Sequence, residues 1–175
     1  MSAVGSRPAR GREESESPAN VAAFLRRNDP HAVFERAAIR ARDGESGYAG
    51  AVTPEEAWLL QRAGAATIVD VRTRAEWELV GHVPGTPLVE WRRYGEESPN
   101  PGFLAQLDDI ASRDEPLLFL CRSGVRSHHA AQAAAQAGFT RAYNILEGFE
   151  GDLDDDRRRG TLGGWRRAGL PWVQS

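Results

Sequence analysis

The sequence contains no lysine, a single cysteine and no long apolar run. All 22 basic residues are arginines, which excludes Schiff-base lysine chemistry and the lysine of a Walker-type phosphate loop. Because Cys121 has no second thiol to pair with, an intramolecular disulfide and a zinc site with two thiolates are both excluded. The longest apolar run without Ala or Gly is Leu117 to Cys121, far short of the roughly 18 residues that a membrane span needs.

The overall composition is that of a globular protein. The chain has 175 residues, of which 41% are hydrophobic and 27% are charged, and its net charge is -3. This length fits one domain with a short remainder. The charge balance predicts neither a nucleic acid nor a membrane surface as a partner. No apolar signal segment follows the N-terminus, which favours a cytoplasmic location.

Composition divides the chain into three parts. Residues 1–28 are rich in Ser, Pro, Gly and charge, which predicts a disordered tail because little apolar surface is available for burial. Residues 29–49 are predicted to form an N-terminal helical extension, since Asp29 is a good N-cap and Pro30 suits the first helical position. Residues 50–175 carry the regular patterning of the main domain.

Within the main domain, short apolar runs alternate with helical patterns. Strands are predicted over residues 66–71, 87–91, 116–120 and 142–146. Helices are predicted over residues 54–64, 74–79, 103–111 and 127–137, the first of them opened by a capping box at Thr53. Strands that alternate with helices predict an α/β fold with a mostly parallel central sheet and helices on both faces.

The candidate site lies where the apolar strand 116–120 runs into Cys121 and a short loop that opens a helix. Ligands of open α/β sheets bind outside the carboxyl ends of strands. Loop amides and the positive end of the helix would form an anion site there, and two arginines add permanent charge, so that thiolate is favoured over thiol. The sequence predicts an ionised, exposed, nucleophilic Cys121. The anion-binding residues predicted beside it are Arg122, Ser123, Gly124, Val125, Arg126 and Ser127.

Three residues at the end of the strand 66–71 or shortly after it are predicted to support this loop. Asp70 is predicted to hold an arginine or to accept loop N–H groups, and Arg72 and Glu76 to form a pair that orients the loop.

His82 lies in a Gly-rich turn and is interpreted as structural. Residues 152–157 begin like a calcium loop but have Arg where that loop requires Gly, so neither a metal nor an organic cofactor is predicted. The aromatic candidates for the mouth of the site, with packing as the alternative, are Trp91, Tyr94 and Trp165.

Three motifs in this order resemble the single-domain rhodaneses, or thiosulfate sulfurtransferases. The loop Cys121-Arg-Ser-Gly-Val-Arg-Ser127 resembles their active-site loop. Asp70-Val71-Arg72 resembles the motif that ends their central strand, and Glu76-Trp77 followed by Gly81-His-Val-Pro-Gly85 resembles the segment after it. The resemblance covers about residues 50–173 and implies a rhodanese-like fold.

The resemblance also implies a two-step sulfur transfer without a cofactor. Cys121 would attack the outer sulfur of a donor such as thiosulfate and become a persulfide, which a thiol or cyanide would then discharge. The loop amides would hold the anionic outer sulfur. Arg126 would orient the sulfonate of the donor, whereas Arg122 would either assist or point to solvent. A sulfur-accepting protein is a further candidate partner.

Two other functions remain open for the same loop. A persulfide carrier or redox sensor would form the same intermediate and pass it to a protein partner. A phosphatase or arsenate reductase of the same fold is disfavoured, because its loop is one residue longer, with Arg six positions after the cysteine. In this chain the sixth position is Ser127 and the arginine is Arg126, which favours sulfur transfer.

Overall fold

A computed structural model describes residues 26–174 of the chain. Most of the tail predicted over residues 1–28 lies outside the described residues, and Arg26 and Arg27 at its end have helical backbone. In the described part of the chain, no helix is both long enough and apolar enough to cross a membrane.

The described residues form a parallel sheet with helices around it, which confirms the predicted α/β fold. The strands are β1 (Gly50–Val52), β2 (Thr67–Asp70), β3 (Leu117–Leu120) and β4 (Ala142–Ile145). The helices are α1 (Pro30–Asp43), α2 (Pro54–Arg62), α3 (Arg74–Leu79), α4 (Phe103–Asp108) and α5 (Val125–Gln136). The strand order is β1-β4-β3-β2, and every neighbouring pair is parallel.

Strand β3 lies inside the sheet with both of its faces covered. Alternate side chains of a strand point to opposite faces. Leu117 and Phe119 accordingly join the apolar cluster that includes α4 and α5, whereas Leu118 and Leu120 join the cluster that includes α1 and α2. This burial explains why the strand is a continuous apolar run. It also places Cys121 at the carboxyl end of an interior strand.

The predicted starts of three helices, α1, α2 and α3, are confirmed by their caps. The side chain of Asp29 accepts the backbone N–H of Ala32 at the start of α1. Thr53 and Thr73 each form a capping box with the glutamate three residues later, at the starts of α2 and α3. Such reciprocal bonds satisfy two backbone donors that a helix start otherwise leaves free.

Helix α1 packs on the sheet. Val33 and Ala37 are fully buried and belong to the same apolar cluster as Val52 of β1. The ring of Phe34 lies 5.1 Å from that of Tyr143 in β4, measured between centroids. The helix predicted as an N-terminal extension therefore shares the core of the domain.

The strand predicted over residues 87–91 is wrong, because the segment makes only one isolated parallel bridge, between Asp70 and Leu88. Pro87 has no N–H with which to extend a ladder beside β2. Helix α4 ends at Asp108 instead of residue 111, and α5 begins two residues before its predicted start. Strand β1 was not predicted, because three residues are too few to show a periodicity.

Candidate active site

The side chain of Cys121 is enclosed by the loop that joins β3 to α5. The residue is only 1% exposed, so the prediction of an exposed thiol is wrong. The backbone N–H of Gly124 donates to Sγ at 3.1 Å, and the hydroxyl of Ser127 donates to it at 3.2 Å. Both donors complement a sulfur atom that carries negative charge.

The loop closes over the sulfur because Gly124 adopts a left-handed conformation, with φ +96°. This residue is the N-cap of α5, and glycine adopts such angles without steric cost. In residues 26–174, several amides of the loop and the first helical turn have no protein acceptor. With the positive helix end, they form a cluster of free donors of the kind that holds anions; that this loop binds an anion stays a prediction. These amides belong to Arg122, Ser123, Val125, Arg126 and Ser127.

Arg126 forms a two-pronged ion pair with Glu76. Its Nη1 and Nη2 atoms each donate to a carboxylate oxygen at 2.7 Å, and the side chains are 21% and 19% exposed. The predicted pair of Arg72 with Glu76 is therefore wrong, since the carboxylate of Glu76 takes Arg126 instead. The same carboxylate accepts the backbone N–H of Thr73 in the capping box of α3, so the start of α3 is tied to the start of α5.

Electrostatics keep this ion pair charged at neutral pH. Burial raises the pKa of Glu76, but hydrogen bonds from Arg126 and Thr73 and the charge of Arg126 outweigh it and lower that pKa to about 2. Burial likewise lowers the pKa of Arg126, but the bonds and charge of Glu76 outweigh it, so that the pKa of Arg126 rises. The guanidinium is therefore largely neutralised by its partner.

Asp70 and Arg72 form a second ion pair, and both side chains are fully buried. Arg72 Nη2 donates to Asp70 Oδ2 at 2.6 Å and to the carbonyl oxygen of Gly81 at 2.7 Å. The guanidinium carbon of Arg72 lies 4.1 Å from the ring centroid of Phe149. As predicted, Asp70 holds an arginine, and the pair joins the end of β2 to Gly81 and to Phe149.

A turn that the sequence reasoning missed supports the loop from behind. Phe149 N–H donates to the carbonyl oxygen of Cys121 at 2.7 Å, and Glu150 N–H donates to that of Arg122 at 2.9 Å. This contact requires Gly148, which has φ +64°. A Cβ at that residue would lie 2.5 Å from the carbonyl oxygen of Cys121. The local sequence signal for this turn is a glycine, Gly148, directly after the acidic residue Glu147.

The active-site loop also borders a cavity of about 310 Å³. Arg122 and Arg126 line it from the loop, and residues 92–96 line it from the segment before α4. Tyr94 is 84% exposed at this cavity. The other two aromatic candidates for the mouth of the site pack in the core instead. Trp91 is 7% exposed and Trp165 is 0% exposed.

His82 occupies a structural position. Its ring stacks on that of Trp77 with centroids 3.5 Å apart, and its Nδ1 atom lies 3.3 Å from the carbonyl oxygen of Trp77. Its backbone pairs with that of Val173.

The acidic segment that begins like a calcium loop forms a turn, in which Asp154 accepts the backbone N–H of Arg158 at 2.7 Å.

Comparison with known proteins shows which family this chain resembles. Residues 53–154 match the family model of the rhodanese-like domain. The chain is 38% identical over 112 residues to the uncharacterized protein RC0915 of Rickettsia conorii, an alignment that covers 61% of this chain and 82% of that one. It is 27% identical over 126 residues to the thiosulfate sulfurtransferase GlpE of Actinobacillus pleuropneumoniae, covering 69% of this chain and 89% of that one.

A solved structure shows the same likeness. The crystal structure of Rv0390 from M. tuberculosis superimposes with a TM-score of 0.65 and 47% sequence identity, over 73% of this chain and 99% of that one. The family match spans both ion pairs and the whole active-site loop, and it confirms the resemblance drawn from the three sequence motifs. The chain belongs to the rhodanese-like domain family.

Proposed function

We propose that this protein is a sulfurtransferase that moves sulfane sulfur from an anionic donor, such as thiosulfate, to a thiophilic acceptor through a persulfide on Cys121. The observation that carries the proposal is the position of Sγ, which accepts hydrogen bonds from Gly124 and Ser127 inside a loop with further free amides. The likeness to a thiosulfate sulfurtransferase supports the same reaction class.

In the first step, the thiolate of Cys121 attacks the outer sulfur of thiosulfate. A bond forms between Sγ and that sulfur, the sulfur–sulfur bond of thiosulfate breaks, and sulfite leaves with the bonding electron pair. In the second step, an acceptor such as cyanide attacks the outer sulfur of the persulfide. Thiocyanate forms and the Cys121 thiolate is regenerated, so the transfer is covalent catalysis in two half-reactions.

The loop supplies the electrostatic stabilisation for these steps. Because Cys121 is almost fully buried, bulk water solvates the charged sulfur poorly, and preorganised donors act strongly in such a site. The free amides of the loop would hold the outer sulfur of the persulfide as it becomes negative. Since Glu76 already neutralises Arg126, the exposed Arg122 would supply the uncompensated charge next to the sulfur.

Intact-protein mass spectrometry after incubation with thiosulfate tests this function. Cys121 is the only thiol of the chain, so the matched control is Cys121→Ser. We expect one added sulfur, about 32 Da, on the wild type alone, and cyanide should remove it with repeated turnover. Sulfur that loads but does not turn over would favour a carrier role. No added sulfur from thiosulfate or from an organic persulfide would overturn the proposal.

A further inference from the structure

Two adjacent arginines that the sulfur-transfer steps leave unused line the same cavity as the active-site loop. Arg92 is half-buried and Arg93 is exposed. The residue before them is fixed in place, because Trp91 is 7% exposed and its N–H donates to the carbonyl oxygen of Val71 at 3.0 Å. The other end of the segment is fixed by Asn100, whose N–H donates to the carbonyl oxygen of Trp91 at 2.8 Å. The backbone therefore holds both arginines beside the active site.

The cavity carries an excess of positive charge. Four arginines and two glutamates line it, which leaves two uncompensated positive charges in a chain whose net charge is -3. Among these arginines, Arg126 alone has a carboxylate partner within 4.0 Å in the described part of the chain. A concave surface lined by charge of one sign concentrates ligands of the opposite sign.

Arg92 also has an unsatisfied hydrogen-bond donor. Its Nε atom is buried, and within residues 26–174 it meets no acceptor. Buried polar groups in native proteins nearly always have a partner. An anionic ligand in the cavity would meet the Nη groups of Arg92 and Arg93 rather than the enclosed Nε atom, and the planar fork of a guanidinium fits a carboxylate in particular.

We propose that Arg92 and Arg93 bind the carboxylates of the sulfur acceptor, and that this acceptor is a small organic thiol with two carboxylate groups. The inference rests on the proposed sulfur transfer. A cavity of about 310 Å³ is of the size that holds organic ligands, and two excess positive charges match a dianion. The exposed ring of Tyr94 gives an apolar surface for the carbon chain of the thiol.

In the reaction, the thiolate of the acceptor attacks the outer sulfur of the Cys121 persulfide. A new sulfur–sulfur bond forms on the acceptor, the bond between Sγ and the outer sulfur breaks, and the Cys121 thiolate leaves with the electron pair. No oxidant or reductant is needed, because the acceptor leaves as an organic persulfide. Arg92 and Arg93 would lower the KM for the acceptor by holding its carboxylates.

Discharge of preloaded persulfide isolates this step from donor binding. The protein is loaded with thiosulfate, freed of excess donor and mixed with mercaptosuccinate, 3-mercaptopropionate or 2-mercaptoethanol, which carry two, one and no carboxylates. The second-order rate constant for loss of the added sulfur is measured by mass spectrometry. We expect Arg92→Gln/Arg93→Gln to lower the rate constant for mercaptosuccinate by roughly tenfold, as for two charge pairs that solvent screens, and that for 2-mercaptoethanol by less than twofold.

Two further variants keep the test decisive. Arg167→Gln removes an exposed arginine outside the cavity and should leave all three rate constants unchanged. Arg93→Gln alone alters an exposed side chain, so it tests the idea if the double variant does not fold, and it should give a severalfold decrease with mercaptosuccinate. If the arginine variants changed the rate constants for all three thiols equally, this inference would be overturned and the proposed function would stand. A wild type that never loads sulfur would overturn both it and the proposed function.

Discussion

Replacing Glu76 by glutamine removes the negative charge that holds Arg126 and keeps the shape of the side chain. Glutamine retains one acceptor oxygen, but its NH₂ group would face a guanidinium that donates to both carboxylate oxygens in the native protein. The oxygen that accepts the Thr73 N–H also belongs to this network. Glu76→Gln therefore breaks an ion pair and weakens a helix cap at once.

The expected loss of stability follows from the pKa of Glu76. Burial opposes the shift, but Arg126 and Thr73 lower this pKa from its ordinary 4.5 to about 2, which corresponds to about 3 kcal/mol of folding free energy at pH 7. Because the folded-state pKa is depressed, the contribution is present above pH 4.5 and is lost as pH falls towards 2. Between pH 5 and pH 3.5 it should decrease by about 1 kcal/mol.

Urea unfolding monitored by tryptophan fluorescence at pH 7, 5 and 3.5 measures this contribution. The matched control is Glu78→Gln on the same helix, because Glu78 pairs with Arg74 at 3.5 Å and both side chains are at least half exposed. Such a surface pair should contribute less than about 1 kcal/mol. Equal losses for the two variants at pH 7, or a Glu76→Gln effect that stays constant from pH 7 to 3.5, would refute the reasoning.

Three further substitutions test other parts of the site. Gly148→Ala should abolish persulfide loading in the mass assay, because a Cβ at φ +64° meets the loop backbone at 2.5 Å; normal loading would contradict this. Ser127→Ala should slow loading by roughly tenfold, the effect of one lost hydrogen bond to sulfur, whereas the exposed-site control Ser112→Ala should load at the wild-type rate. Asp70→Asn should lower the urea unfolding free energy by about 3–5 kcal/mol, because it leaves Arg72 charged and fully buried; a loss below about 1 kcal/mol would contradict that role.

The tertiary structure alone decided how the site is assembled. Glu76 pairs with Arg126, which lies 50 residues further along the chain, so no local pattern could reveal it. The enclosure of Cys121 depends on how the loop is packed, in particular on hydrogen bonds from Phe149 and its neighbours. The arginines before α4 reach the same cavity only because Trp91 is buried beside β2.

The sequence by itself determined the parts of the molecule that arise from neighbouring residues. The caps at Asp29, Thr53 and Thr73 are local hydrogen bonds, and the apolar run of β3 is a local consequence of burial on two faces. The three motifs that begin at Asp70, Glu76 and Cys121, taken together, likewise pointed to the family that the family model confirms. Which charges pair, how deeply the thiol is buried and what supports the loop were decided by contacts between distant segments, because such contacts exist only once the sheet and its helices have packed together.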